Sequence, residues 1–198
     1  DAFLFVEIMN DFLKEFGLKK ISLSDYRNSF CFPVRDYYVS LGFKLTEKEF
    51  HLLSVEFIKK YKEKMFDPKL KKNILSVIKF FYNRGFNQFV VSAQEQKLLN
   101  MSVRFYKLEK YFSGFYGLNN TFAVSKLSLA KKNIGPLLGP QSHPLVIGDT
   151  LHDLEMAHYI GASCCLVSWG HNSLSRLKKS KQTVINCPSS LFDLAKQL

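Results

Sequence analysis

The sequence predicts an α/β protein in two parts, a mostly helical segment over residues 1–85 and an α/β core over residues 86–198. Three observations carry this. Apolar residues recur at helical spacing through nearly all of the first 85 positions. Beyond them, short apolar runs alternate with helical stretches, the pattern of a parallel sheet with right-handed crossovers. The apolar run Leu145-Val146-Ile147 then stops at Gly148, and two carboxylates follow four residues apart, Asp149 and Asp153.

Taken in order, Phe3, Val6, Met9, Phe12 or Leu13, and Phe16 mark an amphipathic helix over 2–16 that stops at Gly17. Ser24-Asp25-Tyr26 offers a second helix start. Residues 29–38 are aromatic and broken at Pro33, a loop leading into a short helix that ends near Gly42. Thr46 with Glu49 is a capping box for a helix reaching Met65. Asp67-Pro68 opens another, continuing through Leu75, Ile78 and Phe81 to Gly85.

From Phe89 the texture changes. Phe89-Val90-Val91 reads as a strand ending at Ser92-Ala93, followed by a helix from about Glu95 to Arg104. Residues 114–117 read as a turn-rich link, 119–125 as a stretch holding a brief strand, and Lys126 as the start of a helix ending near Gly135. Leu145–Gly148 reads as a strand buried on both faces, with Thr150 or Asp149 capping a helix to Ile160. Cys164–Val167 is a further parallel strand, residues 173–179 a short helix, and Thr183–Asn186 an edge strand before a terminal helix.

Composition bounds the function. Apolar residues make up 46% of the 198, charged residues 23%, and no run approaches the ~20 apolar residues of a membrane helix. Membrane association is therefore not expected. The net charge is +11, yet only Arg27, Arg35, Arg84, Arg104 and Arg176 among 28 basic residues are arginines, which argues against nucleic acid. A positive field suits small anionic substrates instead. Cys31, Cys164, Cys165 and Cys187 form no C-x-x-C pair, so reduced thiols and a cytoplasmic location are expected.

Ser92, Asp149 and the loop at Ser168 all fall at the carboxyl ends of predicted strands, where open α/β sheets bind ligands, with Lys126 at a nearby helix start. Val91-Ser92-Ala93, Ser125-Lys126 and the stretch from Val146 to Asp153 resemble, in order and spacing, the second, third and fourth motifs of the haloacid dehalogenase superfamily. Phe32–Tyr38 and Leu41–Phe43 resemble the helical cap of its phosphoglycolate phosphatase-like branch. The resemblance implies a Rossmann-like core with a helical cap and an Mg²⁺-dependent phosphatase acting on a small phosphorylated metabolite. It assigns Ser92, Ala93 and Lys126 to phosphate binding and catalysis, and Asp149 and Asp153 to the metal, Asp153 directly or through water.

The family's first motif, a strand ending in a nucleophilic aspartate, has no counterpart in this chain and is expected immediately before Asp1. Without it two strands of the core would have unpaired edges. The chain as given is accordingly expected to be inactive, either as a piece of an enzyme or as a non-catalytic phosphate-binding or interaction protein. Three lesser candidates remain beside their bland readings. His171 and Asn172 reach either substrate or the loop at Asp149, or are merely polar. Arg35, Asp36 and Tyr37 reach substrate or pack a loop. His152 is expected to face solvent, its spacing from His158 matching no zinc pattern.

Overall fold

A computed structural model of the chain describes residues 1–119 and 126–194. It is an α/β fold in which helices precede a parallel sheet. Five helices come first: α1 (Ala2–Glu15), α2 (Leu23–Ser29), α3 (Val34–Ser40), α4 (Glu47–Lys64) and α5 (Ile74–Asn83). The core alternates β1 (Phe89–Glu95), α6 (Gln96–Phe105), β2 (Gly114–Leu118), α7 (Lys126–Asn133), β3 (Leu145–Gly148), α8 (Leu151–Tyr159), β4 (Ser163–Val167), α9 (Leu174–Lys178), β5 (Thr183–Ile185) and α10 (Ser190–Leu194). Among the described residues, no helix is long and apolar enough to cross a membrane.

The helical layer has its own apolar core. Leu4, Ile8, Phe12 and Leu13 on α1 pack with Tyr26, Tyr37, Tyr38, Phe57 and Tyr61 from α2, α3 and α4. Local chemistry sets the helix starts. Thr46 Oγ1 accepts from the Glu49 amide at 3.3 Å while Glu49 Oε2 accepts from the Thr46 amide at 2.8 Å, completing the capping box. Ser22, not Ser24, caps α2, because Asp25 at the third position returns a bond to its amide. The helix foreseen from Asp67-Pro68 begins only at Ile74. Residues 67–73 hold three lysines and no apolar stripe, and Asn73 turns the chain in with φ of 70°. Val77 and Phe81 of α5 then pack against Cys165 on β4 and Leu191 on α10.

All strand pairs are parallel, but the sheet is split into β1–β2 and β3–β4–β5. Among the described residues β1 pairs only with β2, and β3 only with β4. Helix α7 packs on β1, β2 and α8, while α8 packs on β3 and β4, so two touching helices bridge the split. Ile147, at the centre of β3, is 43% exposed, in contrast to the strand buried on both faces that its sequence suggests. Residues 114–117, read as a link, form most of β2. Their glycines belong to a strand because a Cβ on Gly117 would lie 2.8 Å from Gln94 O and Gln96 Cα, where β2 passes close to the end of β1. The brief strand foreseen at 119–125 lies, from residue 120 on, outside the described residues.

Candidate active site

The site is built where β3 turns into α8. Gly148 closes the strand with no room for a side chain, since a Cβ there would sit 2.2 Å from Asp153 Cβ. Asp153, the third residue of α8, folds back over this glycine towards the helix start. Its Oδ2 accepts from the Asp149 amide at 3.0 Å, the Thr150 amide at 2.9 Å and the Thr150 hydroxyl at 2.8 Å. Its Oδ1 accepts from Lys126 Nζ at the start of α7. Only 4% of the Asp153 side chain and 15% of that of Lys126 remain exposed. Burial opposes ionisation of Asp153, but the Lys126 charge and the Thr150 donors outweigh it and hold the carboxyl below its ordinary range.

Asp149 is half-buried and held from the opposite side. Its Oδ2 accepts from the His171 amide at 2.6 Å, and its carbonyl accepts from the Asn172 amide at 3.2 Å. Asn172, buried to 2% exposure, accepts from the Leu151 amide at 3.1 Å and donates to Phe30 O at 3.3 Å. Gly170 permits this approach, because a Cβ there would lie 2.0 Å from Asp149 Oδ2. Among the described residues no hydrogen bond reaches Asp149 Oδ1, which is the oxygen left to a ligand.

Ser92 lies inside β1, in the irregular stretch between Val91 and Glu95 where pairing with β2 breaks register. Its hydroxyl accepts from the Gln94 amide at 3.1 Å and keeps its own proton to donate. Ala93 sits in the same bulge. Lys126 and Asp153 are thus brought into contact, Asp149 stands one helical turn from Asp153, and Ser92 lies on the strand that α7 covers. Ser125 lies outside the described residues.

A metal would meet these oxygens unequally. Asp153 Oδ2 accepts three bonds and Oδ1 one from Lys126, so Asp149 Oδ1 is the more open oxygen and Asp153 can meet a metal through the remaining lone pair of Oδ1 or through water. Mg²⁺ keeps several waters and needs only one or two carboxylates, which this pair fits. Among the described residues no group of three or more His, Cys, Asp or Glu could hold a metal by itself.

The lesser candidates separate. His171 and Asn172 hold the Asp149 loop. Arg35 pairs with Glu47 and lies over the Phe50 ring, turned towards α4, and Tyr37 is core. His152, expected in solvent, is 14% exposed: its ring lies 4.8 Å from that of Phe32, and Nδ1 is 2.9 Å from Glu155 Oε2. Thr150, Gly170, Tyr26 and Arg27 were not singled out as site residues. A T-x-x-D pattern could have found Thr150, but no local signal marks the others.

Comparison with known proteins bears on the family and the fold. Residues 2–167 match the family of haloacid dehalogenase-like hydrolases. A curated relative from Caldanaerobacter subterraneus subsp. tengcongensis, named "Putative pyrophosphatase PpaX", is 26% identical over 124 residues, which are 61% of this chain and 56% of that protein. The chain thus spans little more than half the length of that relative. A predicted phosphatase from Clostridium acetobutylicum superposes with a TM-score of 0.84 at 18% identity, covering 100% of this chain and 92% of the other. A predicted phosphoglycolate phosphatase from Haemophilus somnus 129pt gives 0.71 at 18%, covering 96% and 89%. At such identity the two structures speak for the fold alone. The family match, spanning most of the chain from α1 through β4, makes this protein a member of the haloacid dehalogenase-like hydrolases.

Proposed function

We propose that the site belongs to an Mg²⁺-dependent phosphatase of small phosphorylated metabolites, phosphoglycolate-like in size and charge, working in the cytoplasm. Neither nucleic acid nor a membrane is its substrate. The observation that carries this reading is the meeting of Lys126, Asp153 and Asp149 at the carboxyl end of β3, beside a strand edge with no partner among the described residues. The names of the three similar proteins all denote hydrolysis of phosphate compounds, which supports the class.

The division of labour follows from the contacts. Ser92 donates its hydroxyl proton, and the bulge at Ala93 its backbone amide, to phosphoryl oxygens. Lys126 has three donor hydrogens and uses one on Asp153, so the others are available to the same oxygens. Asp149 would hold Mg²⁺ through Oδ1, and Asp153 keeps Asp149 and Lys126 in register. Bound Mg²⁺ neutralises charge on the phosphoryl group. The nucleophile belongs on a strand between β1 and β3, joining the two sheets into one and ending beside Asp149. Its aspartate oxygen bonds to phosphorus as the ester P–O bond breaks and the alcohol departs with a proton taken from water; a second water then attacks phosphorus, breaking the aspartyl P–O bond to release phosphate and regenerate the carboxylate. By itself the 198-residue chain is inactive.

The test is to fuse a strand ending in the family's nucleophilic aspartate ahead of Asp1. Mg²⁺-dependent phosphate release from phosphoglycolate or an aryl phosphate should appear, and Asp149→Ala in the same protein should abolish it. Undiminished turnover in that variant removes the metal assignment. Turnover by the unfused chain overturns the need for the added strand.

A further inference from the structure

Asp149 Oδ2 is held by a backbone amide, that of His171, in a turn whose preceding residue has to be glycine. Glycine is the residue with most backbone freedom, so a turn at Gly170 that must stay close to Asp149 needs anchoring from elsewhere. The anchors come from the helical layer, more than 140 residues earlier in the chain. Arg27 Nε donates to Gly170 O at 2.8 Å and Nη2 to Trp169 O at 3.3 Å. The Ser173 amide donates to Arg27 O at 3.0 Å. The Tyr26 hydroxyl lies 2.7 Å from Nδ1 of the His171 ring, and the ring of Phe5 stands edge-on to that imidazole at 5.1 Å.

The direction of the Tyr26 bond follows from the other ring nitrogen. Nε2 of His171 is 3.1 Å from Asp1 Oδ1, and an ionised carboxylate only accepts, so Nε2 carries the proton. In the neutral imidazole Nδ1 is then the acceptor, and Tyr26 donates to it. Tyr26 is 1% exposed, so its hydroxyl has no water to turn to. One side of the imidazole is therefore fixed by the helical layer, while the backbone amide of the same residue fixes the carboxylate.

We propose that Tyr26 and the His171 ring are positioning residues for Asp149, through which α2 of the helical layer sets the direction of the site carboxylate. The proposal rests on the reading of Asp149 as the metal carboxylate only for its functional consequence; the coupling itself is readable without metal.

The experiment is amide hydrogen exchange and ¹⁵N imidazole spectroscopy on the full chain. Tyr26→Phe deletes one oxygen and keeps the ring. It should speed exchange of the His171 amide about tenfold, shift the Nδ1 resonance as its hydrogen bond is lost while the Nε2–H tautomer set by Asp1 is retained, and leave the amides of Leu166 and Val167 in β4 unchanged. His171→Asn presents an acceptor near the place of Nδ1 and should retain the protection that His171→Leu loses. Unchanged His171 exchange in Tyr26→Phe overturns the proposal, as does equal loss at Leu166 and Val167, which would mean general loosening. A Mg²⁺ titration followed at the Asp149 and His171 amides separates the two readings. Tyr26→Phe should weaken the response about tenfold, as loss of partners behind a metal ligand does. If Asp149→Asn leaves the wild-type response intact, or wild type shows none, the metal reading fails, while the exchange result still decides the coupling.

Discussion

Phe12, inside α1, keeps 1% of its surface exposed, whereas Ile147, inside β3, keeps 43%. Both are large apolar residues inside regular elements. The difference lies in their neighbours. α1 is enclosed by α2, α4 and a continuous aromatic cluster. β3 has a strand on one side only, and β1 is half-buried along its whole length. The helical layer therefore holds the larger apolar core, while among the described residues the facing edges of β1 and β3, beside the candidate site, have no strand partner.

The largest expected effect tests the first half of that contrast. Phe12→Ala should cost about 3 to 5 kcal/mol in urea unfolding, as large aromatic deletions in enclosed cores do. A loss under about 1 kcal/mol would mean that the helical layer is not the principal core. Next in size is Asp153→Ala, which strands Lys126 and three donors. Breaking a buried pair costs about 3 to 5 kcal/mol, and the partial exposure of Lys126 puts this case at the lower end. The same pair gives a pH signature. The folded carboxyl of Asp153 titrates below its unfolded value, so its stabilisation is present above the ordinary carboxylate range and fades as pH falls through the lowered pKa. Wild type should therefore lose more thermal stability between pH 6 and 3 than Asp153→Asn, on the order of a few degrees; parallel curves would show that Asp153 is not ionised in the fold.

Gly170→Ala comes third, at about 1 to 3 kcal/mol, the range of overpacking, because its Cβ would meet the Asp149 carboxylate. It sharpens the comparison by acting on the site and not on either core: the shift of the His171 amide should move far more than any resonance of α1. Equal movement in both would mean that helical layer and site respond as one body.

Much of the fold was legible because it is written in local pattern. The helix α1, whose predicted stripe is buried at Val6, Met9, Phe12 and Leu13 but not at Phe3 and Phe16, the capping box at Thr46 and Glu49, and the apolar run before Gly148 are each set by residues close in sequence. Lys126, Asp149 and Asp153, which the structure joins by hydrogen bonds, could be singled out together because their order along the chain is a pattern too. What escaped was set by partners distant in sequence. Gly117 looks like a turn until β2 lies against Gln94 and Gln96. His152 looks exposed until Phe32 covers it from the helical layer. Nothing near His171 foretells Tyr26, and nothing near Gly170 foretells that its missing side chain makes room for Asp149. Asp153 was legible as an acid but not as the reach-back bond of its own helix, since both roles use the same spacing.

The smallest effect bears on the open edge. Val90→Ala removes two methyl-sized groups from a half-buried position in β1, which at about 0.8 kcal/mol per buried CH₂ should cost about 0.8 kcal/mol in this chain. In the fusion that adds a strand ahead of Asp1, a strand seated between β1 and β3 would cover Val90, and the same substitution should then cost about 1.6 kcal/mol. The ratio of the two losses is more telling than either value, because unfolded-state effects are common to both and cancel. If Val90→Ala costs the larger amount already in the chain alone, the edge of β1 is covered by something other than an added strand, and self-association through the open edges is the first thing to look for by measuring the loss as a function of protein concentration. If it costs the smaller amount in both, the fused strand has not entered the gap, and any phosphatase activity it brings arises without a joined sheet.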